Sequence, residues 1–239
     1  MKEKLPKPYK PKKEKLCWLR RCLNQLEIAK ITRAYQIMTQ SKIKVINYKF
    51  DQSQIPDESI LIETTSRSLE WSKGLSPFFV GPVKVYGDYV SANFENLWQY
   101  SKVYPIHVDE EQNPTEKYFQ WAEKGWKDTW ANRYPMGGGY NAPKPLYSWW
   151  DGKKLSYIEA RNQIYIPLYA KAVSTTPAFA QLSEIYQSQK YETLYLLDFD
   201  SYNLTPGTFD YHELAQNPNI KFGHGYVLAM MLENKNGIS

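Results

Sequence analysis

The chain has 239 residues, 42% of them hydrophobic and 15% aromatic, with two cysteines, which excludes a disordered polymer and a disulfide-stapled miniature domain. Its formal net charge of +5 is unevenly placed: residues 1–40 carry eleven Lys and Arg against three acids, and the remainder nineteen against twenty-two. No run of about eighteen apolar residues occurs and the N-terminus lacks the apolar stretch of a signal peptide, so a cytoplasmic protein with no membrane partner is expected.

Lys2 to Lys15, broken by Pro6, Pro8 and Pro11, cannot build a core and reads as a disordered basic tail. Such a tail attracts nucleic acid in a salt-sensitive, sequence-independent way; a purely solubilising tail has the same composition. Leu16, Leu19, Leu23 and Leu26 then keep a helical period, with Arg20 and Arg21 on the polar side. Residues 1–40 are therefore read as a tail plus an amphipathic helix, and 41–239 as the folded domain. Cys17 and Cys22 read as reduced bystanders. His107, His212 and His224 are too scattered to suggest a metal site.

Lys42 to Phe50 predicts a strand with a bulge, and Ser59 to Thr65 a second strand. Pro77, Gly81 and Pro82 force a loop. Val83 to Tyr89 predicts a hairpin with Gly87 in its turn, feeding a helix over 93–104. In that helix Glu95, Gln99 and Lys102 fall at i, i+4 and i+7, which puts a carboxylate, an amide and an ammonium on one face. Leu97, Trp98 and Tyr100 supply apolar bulk. An ordinary surface helix with a salt-bridged edge has the same spacing.

Asn113 predicts an N-cap, with Pro114 at the first helical position and Glu116 in the first turn of a helix to about Lys124. The segment from Arg133 to Pro145 is the most irregular: Gly137, Gly138 and Gly139 let backbone amides approach a ligand, and Arg133 or Lys144 suits a diphosphate, although a flexible loop has the same glycines. Trp149-Trp150-Asp151-Gly152 reads as an aromatic corner. Ser156 and Glu159 form a capping box opening a helix that passes Ile164 and kinks at Pro167. Thr176-Pro177 caps a helix to about Gln187, and Tyr191 to Asp200 is a buried strand ending in Asp198 and Asp200. Acids at a strand end serve a ligand pocket or simply start a turn. His224 precedes the terminal helix Tyr226 to Glu233, as a ligand contact or a structural histidine.

Taken in order, Leu75-Ser76-Pro77-Phe78, Pro82-Val83-Lys84-Val85, a Gly turn, Glu95-x-x-x-Gln99-x-x-Lys102, Pro167 to Lys171, Phe179 to Tyr186 and Gly225 to Leu232 resemble the NADAR (DUF1768) family of N-glycosidases acting on NAD- and ADP-ribose-related compounds. The resemblance spans about residues 75 to 233, with two departures. Ser156 stands where many relatives carry a tryptophan facing the ligand, for which Tyr157, Trp149 or Trp150 is a candidate replacement. Phe222-Gly223-His224 stands where relatives have Asn-Arg-Leu.

The resemblance implies a single α+β domain, mainly helical with a small sheet, that cleaves a ribose C1–N bond without metal or cofactor. Loss of the nitrogen leaves an oxocarbenium-like cation, which a carboxylate stabilises or quenches by activating water. Glu95 takes that role. Lys102 tunes Glu95, holds a phosphate or forms a transient imine with the opened sugar. The implied substrate-binding residues are Gln99, Trp98, Phe78, Trp150, Tyr157, Asp200, Lys221, His224 and Gly225. The expected substrate is an ADP-ribose-like or phosphoribosylated base, foremost ADP-ribose on guanine in DNA, with nucleic acid engaged through the basic arm. Hydrolysis of ribosylamino-pyrimidine intermediates of flavin synthesis and a non-catalytic ADP-ribose-binding module are the alternatives.

Overall fold

Three short β-branched and leucine-rich runs that are distant in sequence assemble into one parallel sheet. The computed structural model describes residues 42–202 and 210–233. These fall within one compact unit, 41–239; the expected basic tail and amphipathic helix lie outside the described residues. The elements in order are β1 (Lys42–Ile46), β2 (Ile60–Glu63), β3 (Val83–Lys84), β4 (Val90–Ser91), α1 (Phe94–Tyr100), β5 (Lys102–Val103), α2 (Glu116–Lys127), β6 (Tyr147–Trp150) and β7 (Lys153–Leu155). There follow α3 (Tyr157–Ala160), a π turn (Arg161–Tyr165), α4 (Ile166–Val173), α5 (Pro177–Gln187), β8 (Thr193–Leu197), α6 (Tyr211–Gln216) and α7 (His224–Leu232). The architecture is α+β, with helices around three small sheets.

In the main sheet β8 lies between β1 and β2, parallel to both, with Val45 and Ile62 flanking Leu196. Alternation sends Ile43, Val45, Ile62, Leu194 and Leu196 into the main core, and Ile46, Tyr195 and Leu197 into a smaller cluster on the opposite face. The terminal helix α7 packs on β1. Gly225 makes this possible, because a Cβ there would come within 2.9 Å of the Val45 side chain and 3.0 Å of Asp198 Cβ.

Local signals held where their partners are near in sequence. The β3–β4 hairpin forms around Gly87. Ser156 and Glu159 exchange both capping-box bonds, and Thr176 caps α5 at the Phe179 amide. The expected kink at Pro167 is a π turn: the Ile166 amide bonds the Arg161 carbonyl five residues back, ahead of a proline that has no N–H to donate.

Several boundaries differ from expectation: β8 stops at Leu197, before Asp198, and the terminal helix already begins at His224, and three further differences have identifiable causes. The first strand does not bulge on to Phe50 but stops at Ile46, because Asn47 turns the chain and its amide donates to the carbonyls of Phe199 and Ser201. The α2 helix has Thr115, not Asn113, at its N-cap position, with the Thr115 hydroxyl donating to the His107 carbonyl, since Pro114 is held in an extended bridge to Val108. The α1 helix ends at Tyr100 rather than running to 104. The Ser101 carbonyl is taken by the Trp149 amide and the Tyr118 hydroxyl, and Lys102 passes into β5 beside Ser148.

Candidate active site

The site is built on α1. Asn93 caps the helix by accepting from the Asn96 amide at 2.8 Å, which fixes the rotation of the first turn. That rotation buries Glu95 and Gln99 on one side and Asn96 on another. Although Lys102 lies past the helix end, its Nζ donates to Gln99 Oε1 at 2.7 Å, and Gln99 Nε2 donates to Glu95 Oε1 at 2.9 Å. The amide thus relays between ammonium and carboxylate in the one orientation that suits both. The Lys102 ammonium also lies 5.0 Å from the Trp98 ring centroid.

Burial disfavours both charges. It pushes Glu95 above the usual carboxylate range, opposed by the Gln99 hydrogen bond and by the cations Arg133 and Lys102. It pulls Lys102 down to about 8, opposed by Glu95. Burial therefore shifts both groups toward their neutral forms.

These residues form one wall of a cavity of about 730 Å³. Opposite them, Asp198 and Asp200 follow the C-terminal end of β8. Arg133 reaches across from the loop after α2 to pair with Asp200 at 2.5 Å, and Lys221 lies 3.6 Å from the other Asp200 oxygen. Burial works against the Arg133 cation, but Asp200 and Glu95 more than offset it and raise its pKa further. Tyr165, packed edge-on to Trp98 at 5.1 Å, is held protonated by burial and by the carboxylates Asp198, Glu95 and Asp200.

Of the residues singled out in the sequence, Phe78, Glu95, Trp98, Gln99, Lys102, Tyr157, Asp200, Lys221 and His224 all line this cavity. Tyr157 stands at its edge over the Arg161 guanidinium, 4.6 Å below the ring centroid, and Trp98 is 6.5 Å away. Trp150 instead packs edge-on against Tyr86 at 5.2 Å, because the β6–β7 hairpin turns it toward the core, and it does not reach the cavity. Gly225 does not either: its N–H donates to Asp198 Oδ2 at 2.8 Å beneath the cavity wall. His224 borders the cavity with both ring nitrogens already engaged, Nε2 by the carbonyl and hydroxyl of Thr64 at 2.9 and 3.0 Å and Nδ1 by Asp198 at 3.3 Å. Its role is to brace Asp198 rather than to offer a ligand a hydrogen bond.

Two contributors were not legible in the sequence. Asn96 is fully buried; its amide donates to the carbonyls of Asp128 and Trp130 and its Oδ1 accepts from the Asn132 amide, which ties the loop after α2 to the helix that carries Glu95. A second asparagine three residues past the cap was the available signal. Arg161, at the start of the π turn and almost fully buried, donates to the carbonyls of Leu214, Ala215, Asn217 and Ile220 and so holds the end of α6 and the segment after it against the cavity. No group of three or more His, Cys, Asp or Glu placed to hold a metal ion occurs among the described residues.

Taken together, the cavity can accept a polar ligand against an acid, a base-forming lysine and a guanidinium, with aromatic faces at its sides. The model of a family of unknown function (DUF6939) matches residues 40–206, a stretch that runs from β1 through β8 and includes Glu95, Gln99, Lys102, Arg133 and both strand-end aspartates. No curated protein and no solved structure matches the chain.

Proposed function

Because the chain belongs to the DUF6939 family, whose function is unknown, we propose its activity from the site itself: an N-glycosidase of the NADAR type that hydrolyses the ribose C1–N bond of an ADP-ribose-like substrate. The observation that carries the reading is the buried chain from Glu95 through Gln99 to Lys102, in which the residues aligned by the sequence resemblance meet at the wall of one cavity.

The chemistry follows from that placement. As the C1–N bond breaks, its electron pair leaves with the nitrogen and positive charge grows on the ribose ring. Glu95, in a site of low dielectric, stabilises that charge and takes a proton from the incoming water, whose oxygen bonds C1. The proton that neutralises the leaving nitrogen comes from the Lys102 ammonium, which burial has made a better acid than an exposed lysine. Gln99 keeps the two groups at fixed separation. Arg133 and Lys221, grouped on Asp200, supply positive charge for a diphosphate.

The favoured substrate is ADP-ribose attached to a nucleobase. The test is release of ADP-ribose from DNA carrying ADP-ribosylated guanine, with Glu95→Gln as the partner variant and its fold checked by circular dichroism. Turnover falling by about 10²–10⁴-fold in the folded variant is the expected result. Undiminished release by Glu95→Gln, or none by the wild type, sinks the reading. A second reading, a non-catalytic ADP-ribose-binding module, is favoured by one observation: His224, where the NADAR pattern is interrupted, and Gly225 next to it spend their polar groups on Thr64 and Asp198. Tight ADP-ribose binding without turnover, unaltered in Glu95→Gln, is its signature.

A further inference from the structure

The loop that joins α2 to β6 presents large aromatic side chains to solvent at the cavity mouth. Trp130 is 81% exposed, Tyr134 61%, and Tyr140 fully exposed; Tyr134 and Tyr140 also line the cavity. Isolated exposed aromatics are common, but two that line a pocket from one loop, with a third exposed earlier in the same loop, are of the kind that marks a recognition surface. The patch is not loosely hung. Asn96 holds the carbonyls of Asp128 and Trp130 and the Asn132 amide, Asn132 Oδ1 accepts from the Tyr134 amide, and the Tyr134 ring rests on Gly138.

Charge selects the partner. From Thr129 to Trp150 the chain has no Asp or Glu, while Arg133 and Lys144 both line the cavity. Lys144 is exposed, with no ion-pair partner among the described residues. Arg133 is paired with Asp200, so the free cation of this stretch is Lys144; flat π faces beside a free cation are the arrangement that single-stranded nucleic acid uses, with bases stacking on the rings and a phosphate meeting the cation. A neutral glycan also stacks on tyrosine but has no use for the free ammonium of Lys144.

We propose that residues 129–146 are a stacking platform for nucleotides flanking the one that enters the cavity, so that the target is a nucleotide within a single strand. The proposal rests on the glycosidase reading only for what the cavity holds; binding of the strand stands apart from turnover. It also assigns base-dependent affinity to this loop, leaving to the basic residues of 1–40 only the contribution that any polyanion would receive.

The experiment is fluorescence anisotropy with the full chain, at one fixed salt concentration, of a labelled oligothymidylate and of an abasic phosphodeoxyribose strand of the same length. Wild type is expected to bind the base-bearing strand about tenfold or more tightly than the abasic one. Tyr134→Ala/Tyr140→Ala is expected to bring the two affinities together, and Lys144→Ala to weaken both by the same factor. A wild type that does not distinguish the strands overturns the platform, as does a double variant that keeps the preference. Displacement of the strand by a neutral oligosaccharide, lost in the double variant, overturns it in favour of a glycan. A protein that cleaves nothing yet passes this test keeps the platform and loses the glycosidase; one that cleaves but shows no preference for bases does the reverse.

Discussion

Lys102 titrates near 8 because burial strips water from its ammonium, while burial of Glu95 delays its ionisation beyond the usual carboxylate range. The signs give a pH profile. With Glu95 as the base and Lys102 as the acid, kcat/KM rises as Glu95 loses its proton and falls as Lys102 loses its own, through about 8. Lys102→Arg keeps the charge at all accessible pH, so the falling limb is expected to vanish along with most of the activity, because a guanidinium is a poor acid. A profile that instead climbs through 8 would move Lys102 from acid to imine-forming nucleophile. Initial rates between pH 5 and 10 separate these outcomes.

At the scale of elements, α1 does two jobs from opposite sides: it presents Glu95 and Gln99 to the cavity and ties down the neighbouring loop through Asn96. Asn96→Ala leaves the carbonyls of Asp128 and Trp130 and the Asn132 amide without their side-chain partner. A loss of about 1–3 kcal/mol in chemical denaturation is expected, with faster hydrogen exchange confined to the loop following α2. Shortening the core side of the same helix is harsher: Leu97→Ala, at a fully buried position, should cost about 2–5 kcal/mol. Gly125 belongs to this contact as well, since a Cβ there would enter the Tyr100 ring.

The elements also divide by how far their determinants lie along the chain. The caps at Ser156 and Thr176 and the turn at Gly87 were legible, because each is closed by partners within a few residues. The end of β1 was not, because it depends on carbonyls of Phe199 and Ser201 that the sequence places about 150 positions away. The same holds for the end of α1, set by Trp149 and Tyr118, and for Trp150, whose inward direction is decided by the face of a hairpin. For the site, spacing brought Glu95 and Gln99 to one face; Lys102 joins them although the helix stops short of it, because its side chain is long enough to reach back.

For the whole molecule, the described residues belong to a unit that begins at 41, and no helix among them is long and apolar enough to cross a membrane. A chain lacking residues 1–40 is therefore expected to unfold cooperatively with a midpoint within a few degrees of the full chain, as read by differential scanning calorimetry. Binding to oligothymidylate by the shortened chain should show a shallower dependence on salt, because the eleven basic residues of 1–40 are gone.

The order β1-β8-β2 sets a timetable for birth as well as a shape. During synthesis β1 and β2 both emerge early, yet neither pairs with the other; each waits for residues 193–197 to slide between them. Closing loops of that length before any ladder bond rewards them is slow. The nascent chain thus spends most of its translation with two unpaired apolar strands, and the aspartates at the end of β8 arrive at the cavity in the same event that completes the sheet. A ribosome-bound chain arrested before residue 193 should accordingly remain open to protease and engaged by chaperones, and become resistant only when β8 has cleared the exit tunnel.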